Sequence, residues 1–500
     1  MIADAALLAT VIPGVVGIAF YFLGKRIQRG VGWIATIAAF LSVVMIISMG
    51  RDLMESYNIG QGRLTFSYAW IPAIDVNFGF LVDMVSFPIA LIAAVVSALS
   101  CLYSIKYMKK EKNQPTYYAN LLLFMTGMIG VILSSNLIQF YLFWELMLIP
   151  SYLLIAQWGT SKGRLKIAFK YFILTHIGAL SMLLGILAIF SFAHTFDLLK
   201  LASNPEVVNL IRASNMIVPI FAMLLIGFLV KMAAFPVHTW LPDAHSEAPT
   251  PISAMLSGIM IKCGVYGMAR ILLTNTFGDI MLHASDFLAI LGIVTIVYGG
   301  LMALAQTDIK RLLAYSSISQ MGYILFGLSV ASYLGIMGAL FHIINHAVCK
   351  SLLFMCAGII INQTKTRDIR NLGGLIGKMP ITSIACLIGV FSLVGTPPLN
   401  AFWSEWMIFG GGLAAGKGLI TIFGVLSTVI TAGYYLWFAW RIFFGSVPRK
   451  LKYVRQAPFS LHAPVIILAT ISILLGVLPN LMLQYITPAA EYLSGLVGGG

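Results

Sequence analysis

The sequence predicts an all-α, polytopic membrane protein. Of its 500 residues, 60% are hydrophobic and only 10% are charged, where a soluble domain carries about 25% charged residues. The apolar residues fall in runs close to the roughly 20 needed to cross a bilayer as a helix. Lys and Arg gather in the short loops between those runs. The net charge of +14 therefore reads as a topology signal rather than a continuous basic stripe, and no nucleic-acid partner is expected.

About fourteen transmembrane helices follow, at 2–23, 31–49, 78–104, 117–134, 136–157, 168–193, 215–234, 251–273, 285–306, 312–332, 334–361, 380–408, 418–443 and 463–486. The first lacks a basic leader, carries Asp4 and runs on into Lys25 and Arg26, so it is expected to stay as a membrane helix. The loop at 50–77 alternates weakly over Arg63–Tyr68, which predicts a small hairpin. Polar Ser134, Ser135 and Asn136 divide the fourth span from the fifth. The seventh meets Pro236 and Pro242 and is expected to continue, broken, through 236–246. The twelfth is interrupted at Gly395-Thr396-Pro397-Pro398, and 362–379 reads as a polar turn.

Irregular backbone at membrane depth is tolerated only where protein or a water-filled cavity satisfies it. Both interruptions sit beside a charged residue, and they lie five spans apart. That pattern predicts two inverted five-helix repeats, helices 4–8 and 9–13, with helices 7 and 12 broken. The repeats occupy 116–275 and 283–445 of a single membrane domain, flanked by helices 1–3 (1–115) and helix 14 (446–500). Placing the N-terminus outside assigns 22 of the 31 Lys and Arg residues to the inner side, among them Lys25, Arg26, Arg29 and Lys310. Six fall outside, including Arg63 and Arg270, and three lie within spans. Both termini are then expected on the outer side.

An ionisable group at mid-membrane depth costs roughly 3 kcal/mol on insertion scales, so by default it marks function. The set is small: Glu145, Lys231, Lys262, His342, His346, Lys350 and Glu405. The chain supplies both signs, and Glu145–Lys231 is the expected pair. A purely structural ion pair there would leave Lys262 and Lys350 without acids. His342, His346 and Lys350 recur every four residues, which puts them on one helix face about 6 Å apart in rise. The stripe fits a proton wire; interhelical hydrogen bonding by the histidines is the alternative, and metal ligation lacks a third donor. His238, Asp243, His245 and Glu247 follow the first break as a polar cluster at the inner entrance. The five cysteines show no CxxC or ligand-type spacing, so no iron–sulfur, haem or flavin centre is expected on this chain.

At these residues the sequence resembles the antiporter-like, proton-pumping membrane subunits of complex I (NADH:quinone oxidoreductase) and its relatives, over roughly 80–445. The most specific element is Lys231 followed by Pro236-Val237-His238-Thr239-Trp240-Leu241-Pro242-Asp243-Ala244-His245, Glu247-Ala248-Pro249-Thr250 and Lys262. Trp144-Glu145, the Asp308–Ser317 entry to helix 10, His346 with Lys350, and Gly395-Thr396-Pro397-Pro398 with Phe402 and Glu405 support it. Length, helix count and Glu405 as terminal acid are most similar to the M-type pattern. The resemblance implies an acid–lysine pair at Glu145 and Lys231, a relay lysine at Lys262, His346 on the central axis and an exit acid at Glu405. Two positions depart: Gln320 stands where the M pattern often has histidine, and Lys350 follows His346 by one turn.

The expected function is proton translocation within a complex I-like oxidoreductase. Quinone, flavin and iron–sulfur centres would sit on partner subunits, and this chain would bind no cofactor or metal. Neighbouring antiporter-like subunits and the lipid bilayer are the direct partners, in a prokaryotic cytoplasmic membrane or an equivalent energy-coupling membrane. The alternatives are a component of a multi-subunit Na+/H+ antiporter, or of a deazaflavin-, ferredoxin- or hydrogenase-linked relative.

Overall fold

The computed structural model describes residues 2–24, 26, 30–72 and 76–498; Lys25 and Arg29, counted above for topology, lie outside them. The chain is an integral, multi-span membrane protein. Its elements in order are α1 (Ile2–Leu23), α2 (Val31–Asn58), β1 (Arg63–Ile71), β2 (Val76–Asp83), α3 (Ser86–Tyr107), α4 (Gln114–Leu133), α5 (Leu137–Trp158), α6 (Arg164–Ala193), α7 (Leu198–Ser203), α8 (Pro205–Arg212), α9 (Ile217–Met232), α10 (Trp240–Glu247) and α11 (Thr250–Leu272). They continue with α12 (Gly278–His283), α13 (Ser285–Leu304), α14 (Ile309–Ser329), α15 (Tyr333–Thr364), α16 (Pro380–Leu393), α17 (Asn400–Ala414), α18 (Gly418–Phe443), α19 (Phe459–Val477) and α20 (Asn480–Gly498).

Among the described residues, eleven helices are long and apolar enough to cross a membrane, and twelve if α8 and α9, bent by 99°, are one span. The peripheral helices α6 and α18 turn broad apolar faces outward, with Leu165, Phe169, Ile177, Leu419, Phe423 and Val429 exposed. In the centre, the most apolar stretches of α11 and α15 are wholly buried. So is every residue of α14 except Arg311. This explains why α14 carries four serines and a glutamine: a helix ringed by protein needs partners for polar groups, not affinity for lipid.

Two expected spans are corrected. The third does not begin at 78, because Val76–Asp83 pairs antiparallel with β1, Phe66 opposite Phe80, in the two-stranded sheet. The helix starts only after Asp83, whose Oδ1 accepts from the Val85 and Ser86 amides and satisfies N–H groups left free at a helix start. The expected fourteenth, 463–486, is two helices. Pro479 has no N–H and biases Leu478 away from the helical region, so α19 stops at Val477 and α20 departs on a new course.

Both expected breaks are present. α9 ends at Met232, Ala233 turns left-handed, and α10 resumes at Trp240, whose indole donates to the Val230 carbonyl at 3.0 Å. Residues 394–399 part α16 from α17, and the Trp403 indole donates to the Gly476 carbonyl at 2.8 Å. Pro236 and Pro397 each belong to a cis X–Pro bond in a break, at Phe235–Pro236 and Pro397–Pro398.

Buried ionisable residues as the candidate functional site

Lys231 lies in the last turn of α9, one residue from the break. It is 1% exposed, its Nζ has no hydrogen-bond partner, and it sits 5.1 Å from the Trp144 ring centroid. Such a cation–π contact stabilises an ammonium by about 2 kcal/mol where water is excluded. The expected Glu145–Lys231 contact is not closed here. Neighbouring residues on a helix point about 100° apart, so with Trp144 under the lysine, Glu145 turns toward α6. There its Oε2 lies 3.3 Å from His176 Nδ1, without hydrogen-bond alignment, and its Oε1 is unpartnered.

Lys262 sits between two π-helical segments of α11, Leu256–Met260 and Met268–Leu272. Its ammonium donates to the Ser257 carbonyl within the first of them. π-Segments interrupt the regular backbone ladder and cluster at functional sites. α11 approaches α9 closely at Gly264, where an added Cβ would lie 2.8 Å from the Phe228 carbonyl oxygen and 3.2 Å from Lys231 Cβ; this glycine seats α11 against Lys231, with Lys262 two residues along the helix.

α15 carries the expected stripe. The His342 and His346 rings lie 6.1 Å apart, 22° from parallel. Lys350 donates to Ser316 Oγ and, at 3.0 Å, to the Leu313 carbonyl of α14, with the Tyr435 ring 5.3 Å away. Both ring nitrogens of buried His346 lack partners. Gln320 does not interrupt the stripe: its Oε1 lies 2.8 Å from His342 Nε2. On the other edge, His342 Nδ1 lies 2.9 Å from Ser404 Oγ on α17. One imidazole thus bridges α14, α15 and α17, next door to Glu405. The Glu405 side chain is buried with Oε1 unpartnered and Oε2 against Gly395, whose φ of +77° and tight space both favour glycine.

The four polar residues after the first break do not form one cluster. His238 packs between Phe235 and Tyr298. Asp243 bridges Lys170 at 2.7 Å and Arg311 at 2.8 Å. Glu247 accepts from the Ser161 amide at 2.8 Å. His245 is fully buried on Phe354, one turn beyond Lys350, with both ring nitrogens free. Among the described residues no three His, Cys, Asp or Glu side chains could hold a metal ion.

Sequence reading missed His176 and did not foresee the burial of two charges at helix ends. Lys310, assigned to an inner loop, is buried and donates to the Ala248 carbonyl at 2.6 Å. Arg270, assigned outside, is buried and makes two 2.6 Å contacts with Asp83 of β2. A lone histidine in the sixth span was the available signal for His176; what raises it above a packing residue is its carboxylate neighbour, visible only in three dimensions.

No hydrogen bond among the described residues links Lys231 to Lys262, or Lys262 to His346. Proton movement between them needs water or side-chain motion. The arrangement is a broken row of buried ionisable side chains rather than a pore.

Comparison with known proteins shows the family. The family described as NADH:quinone oxidoreductase/Mrp antiporter, TM, matches residues 134–431. The family described as NADH-Ubiquinone oxidoreductase (complex I), chain 5 N-terminus, matches 70–118. The chain is 33% identical to F(420)H(2) dehydrogenase subunit M of Methanosarcina mazei, over 96% of each chain. It is 36% identical to an Na(+)/H(+) antiporter subunit of Alkalihalophilus pseudofirmus over 95% of this chain, spanning 61% of that longer relative. Among solved structures, a chain of the membrane-bound sulfane sulfur reductase, an archaeal respiratory membrane complex, superposes with a TM-score of 0.86 at 29% identity, covering 96% of this chain and 77% of that one. With the matched family region reaching from α5 through most of α18 and enclosing Glu145, Lys231, Lys262, His346, Lys350 and Glu405, the chain belongs to the antiporter-like membrane subunits shared by NADH:quinone oxidoreductases and Mrp antiporters.

Proposed function

We propose that this chain translocates protons for a complex I-like oxidoreductase whose donor, quinone-type acceptor and redox centres reside on other subunits. Lys231 passes its proton through Lys262 to the His346–Lys350 stripe, and from there by way of His342 to Glu405 and the outer side. Glu145 sets the charge beside Lys231, opening and closing as a pair with it. In this reading α14 and the split pair α16–α17 complete fourteen spans in two inverted repeats, with both termini outside. The observation that carries the proposal is the set of four buried lysines, Lys231, Lys262, Lys310 and Lys350, and the buried Glu405, each at most 7% exposed. A scaffold has no use for so many desolvated charges.

The test is pumping stoichiometry in the assembled complex. Lys231→Ala and Glu405→Ala should each reduce protons moved per electron pair while leaving assembly of the complex intact; unchanged stoichiometry in an assembled variant overturns the assigned role. The 36% identity to an Na(+)/H(+) antiporter subunit supports a second reading, exchange without a redox partner. Native purification separates the two, since only the first brings flavin or iron–sulfur subunits along.

A further inference from the structure

Glu145 stands between two bases. His176 is on its outer side, Nδ1 3.3 Å from Oε2, and the two side chains are 35% and 18% exposed at the wall formed by α5 and α6. Lys231 is on the inner side, buried and without a hydrogen-bond partner. All three share one layer of the bundle. α6 and α9 touch at Gly178 and Val230, where a Cβ on the glycine would lie 2.7 Å from Val230 Cβ; His176 is two residues from the first contact point and Lys231 is next to the second. The His176 ring is held 5.4 Å from Phe172, 10° from parallel, which fixes its plane. Glu145 is not so held. Its Oε1 has no partner, and a glutamate swings about its side-chain torsions between staggered wells. The other titratable side chains facing the carboxyl are Tyr141 of α5, Tyr171 of α6 and Lys231 of α9.

We propose that His176 is a second proton-exchanging partner of Glu145, and that the Glu145 carboxyl carries protons from His176 at the wall to Lys231 inside. The inference rests on the proton-translocating reading above and gives its path an entrance. In the first step an imidazolium N–H bond breaks and a carboxyl O–H bond forms. The neutral carboxyl then turns inward. In the second step the O–H bond breaks and an ammonium N–H bond forms on Lys231. One proton has moved, and the summed charge of the three groups is the same before and after. The swing is made by a neutral acid, which avoids the desolvation penalty of moving a carboxylate through apolar surroundings.

The experiment uses the whole complex in sealed native membrane vesicles, with His176→Gln as the principal variant and His176→Ala, Lys231→Ala and Glu145→Gln beside it. Glutamine keeps the size and hydrogen-bonding capacity of the site but cannot carry a proton. His176→Gln should lower the proton-pumping rate about tenfold or more, as expected for losing a positioned proton-transfer group, with assembly on native gels unchanged. The infrared carboxyl band that Glu145→Gln abolishes should titrate at a different pH in His176→Gln. Pumping and band titration both at wild-type values in His176→Gln would overturn the proposal. Loss of pumping in Lys231→Ala alone would reject the His176 role and leave the wider path standing; full pumping in Lys231→Ala would reject the path itself. If His176→Ala fails to assemble, His176→Gln decides.

Discussion

Gln320 shows how a single residue decides whether a row of carriers is joined. Its side-chain oxygen accepts from His342 Nε2 at 2.8 Å, so in the proposed path a residue that departs from the family pattern serves the wire as an acceptor. Replacing it with leucine strips a buried imidazole of one hydrogen bond and leaves that nitrogen unsatisfied, which costs about 1–3 kcal/mol. We expect Gln320→Leu to slow pumping while Gln320→His retains it, measured as proton uptake per turnover in vesicles; equal pumping by Gln320→Leu would remove His342 from the route. The lysines, the central histidines and Glu405 were legible in the sequence because an isolated charge in an apolar run is conspicuous. Lys310 and His176 were not. Lys310 begins a helix and looks like a loop residue, yet it donates to the Ala248 carbonyl in the turn between α10 and α11. His176 is ambiguous alone, and its meaning depends on α5 presenting Glu145 to it. The expected Glu145–Lys231 contact is open in this structure for a related reason: the sequence names both residues but not which way a side chain turns.

At the scale of elements, proline, glycine and capping chemistry located the breaks well and the strand poorly. Pro236 and Pro397 lie in real interruptions, whereas Pro13 and Pro150 are carried inside continuous helices, so a missing N–H weakens the ladder without ending it by itself. β2 was lost inside the third span because apolar Phe78–Val82 suits a helix or a strand equally, and only pairing with β1 settles it. Asp83 then ties the hairpin to α11 through Arg270. Burial pushes the Asp83 carboxyl up, but the Arg270 guanidinium outweighs burial and holds it below the usual carboxylate range. A depressed carboxyl stabilises the fold above its unfolded pKa of about 3.9 and loses that contribution as pH falls through the lower folded value. The clamp should therefore hold at neutral pH and release only in strong acid. Asp83→Asn, which strands a buried guanidinium, should destabilise the hairpin by about 3–5 kcal/mol, read as faster proteolysis between β1 and β2 at pH 7; wild-type resistance would reject the clamp. Gly395→Ala works on the second break. Its Cβ would stand 2.6 Å from Glu405 Oε2 at a positive φ, so the carboxylate must move. We expect a larger loss of pumping than of thermal stability, and the reverse order would mean that Gly395 serves folding alone.

For the whole molecule, hydropathy and charge describe the periphery while burial describes the centre. The outer helices turn apolar faces outward, so hydropathy found a helix at each of these positions, with bounds that shift at α2 and α19. α14 is enclosed by protein and is free to be polar, which is why eleven or twelve spans pass a test of apolarity where the fourteen-span reading adds α14 and the α16–α17 pair. In the proposed fourteen-span reading, an even number of spans would return both termini to one side, and the excess of Lys and Arg at the opposite ends of the helices would make that side the outer one. Two residues in the tally, Arg270 and Lys310, are buried instead of being exposed at the loops; one came from each side, so the bias stands. Single cysteines test the sides by where they can be reached. The five native cysteines are all buried and should stay unlabelled by a membrane-impermeant maleimide. Ser67→Cys, on the exposed face of β1, should label in intact cells, and Lys162→Cys, in the exposed turn between α5 and α6, only after the membrane is opened. The opposite pattern would invert the topology, and with it the direction from Lys231 to Glu405 in which protons are moved. Labelling of both from one side would refute the even span count and leave the two repeats unable to oppose each other across the membrane.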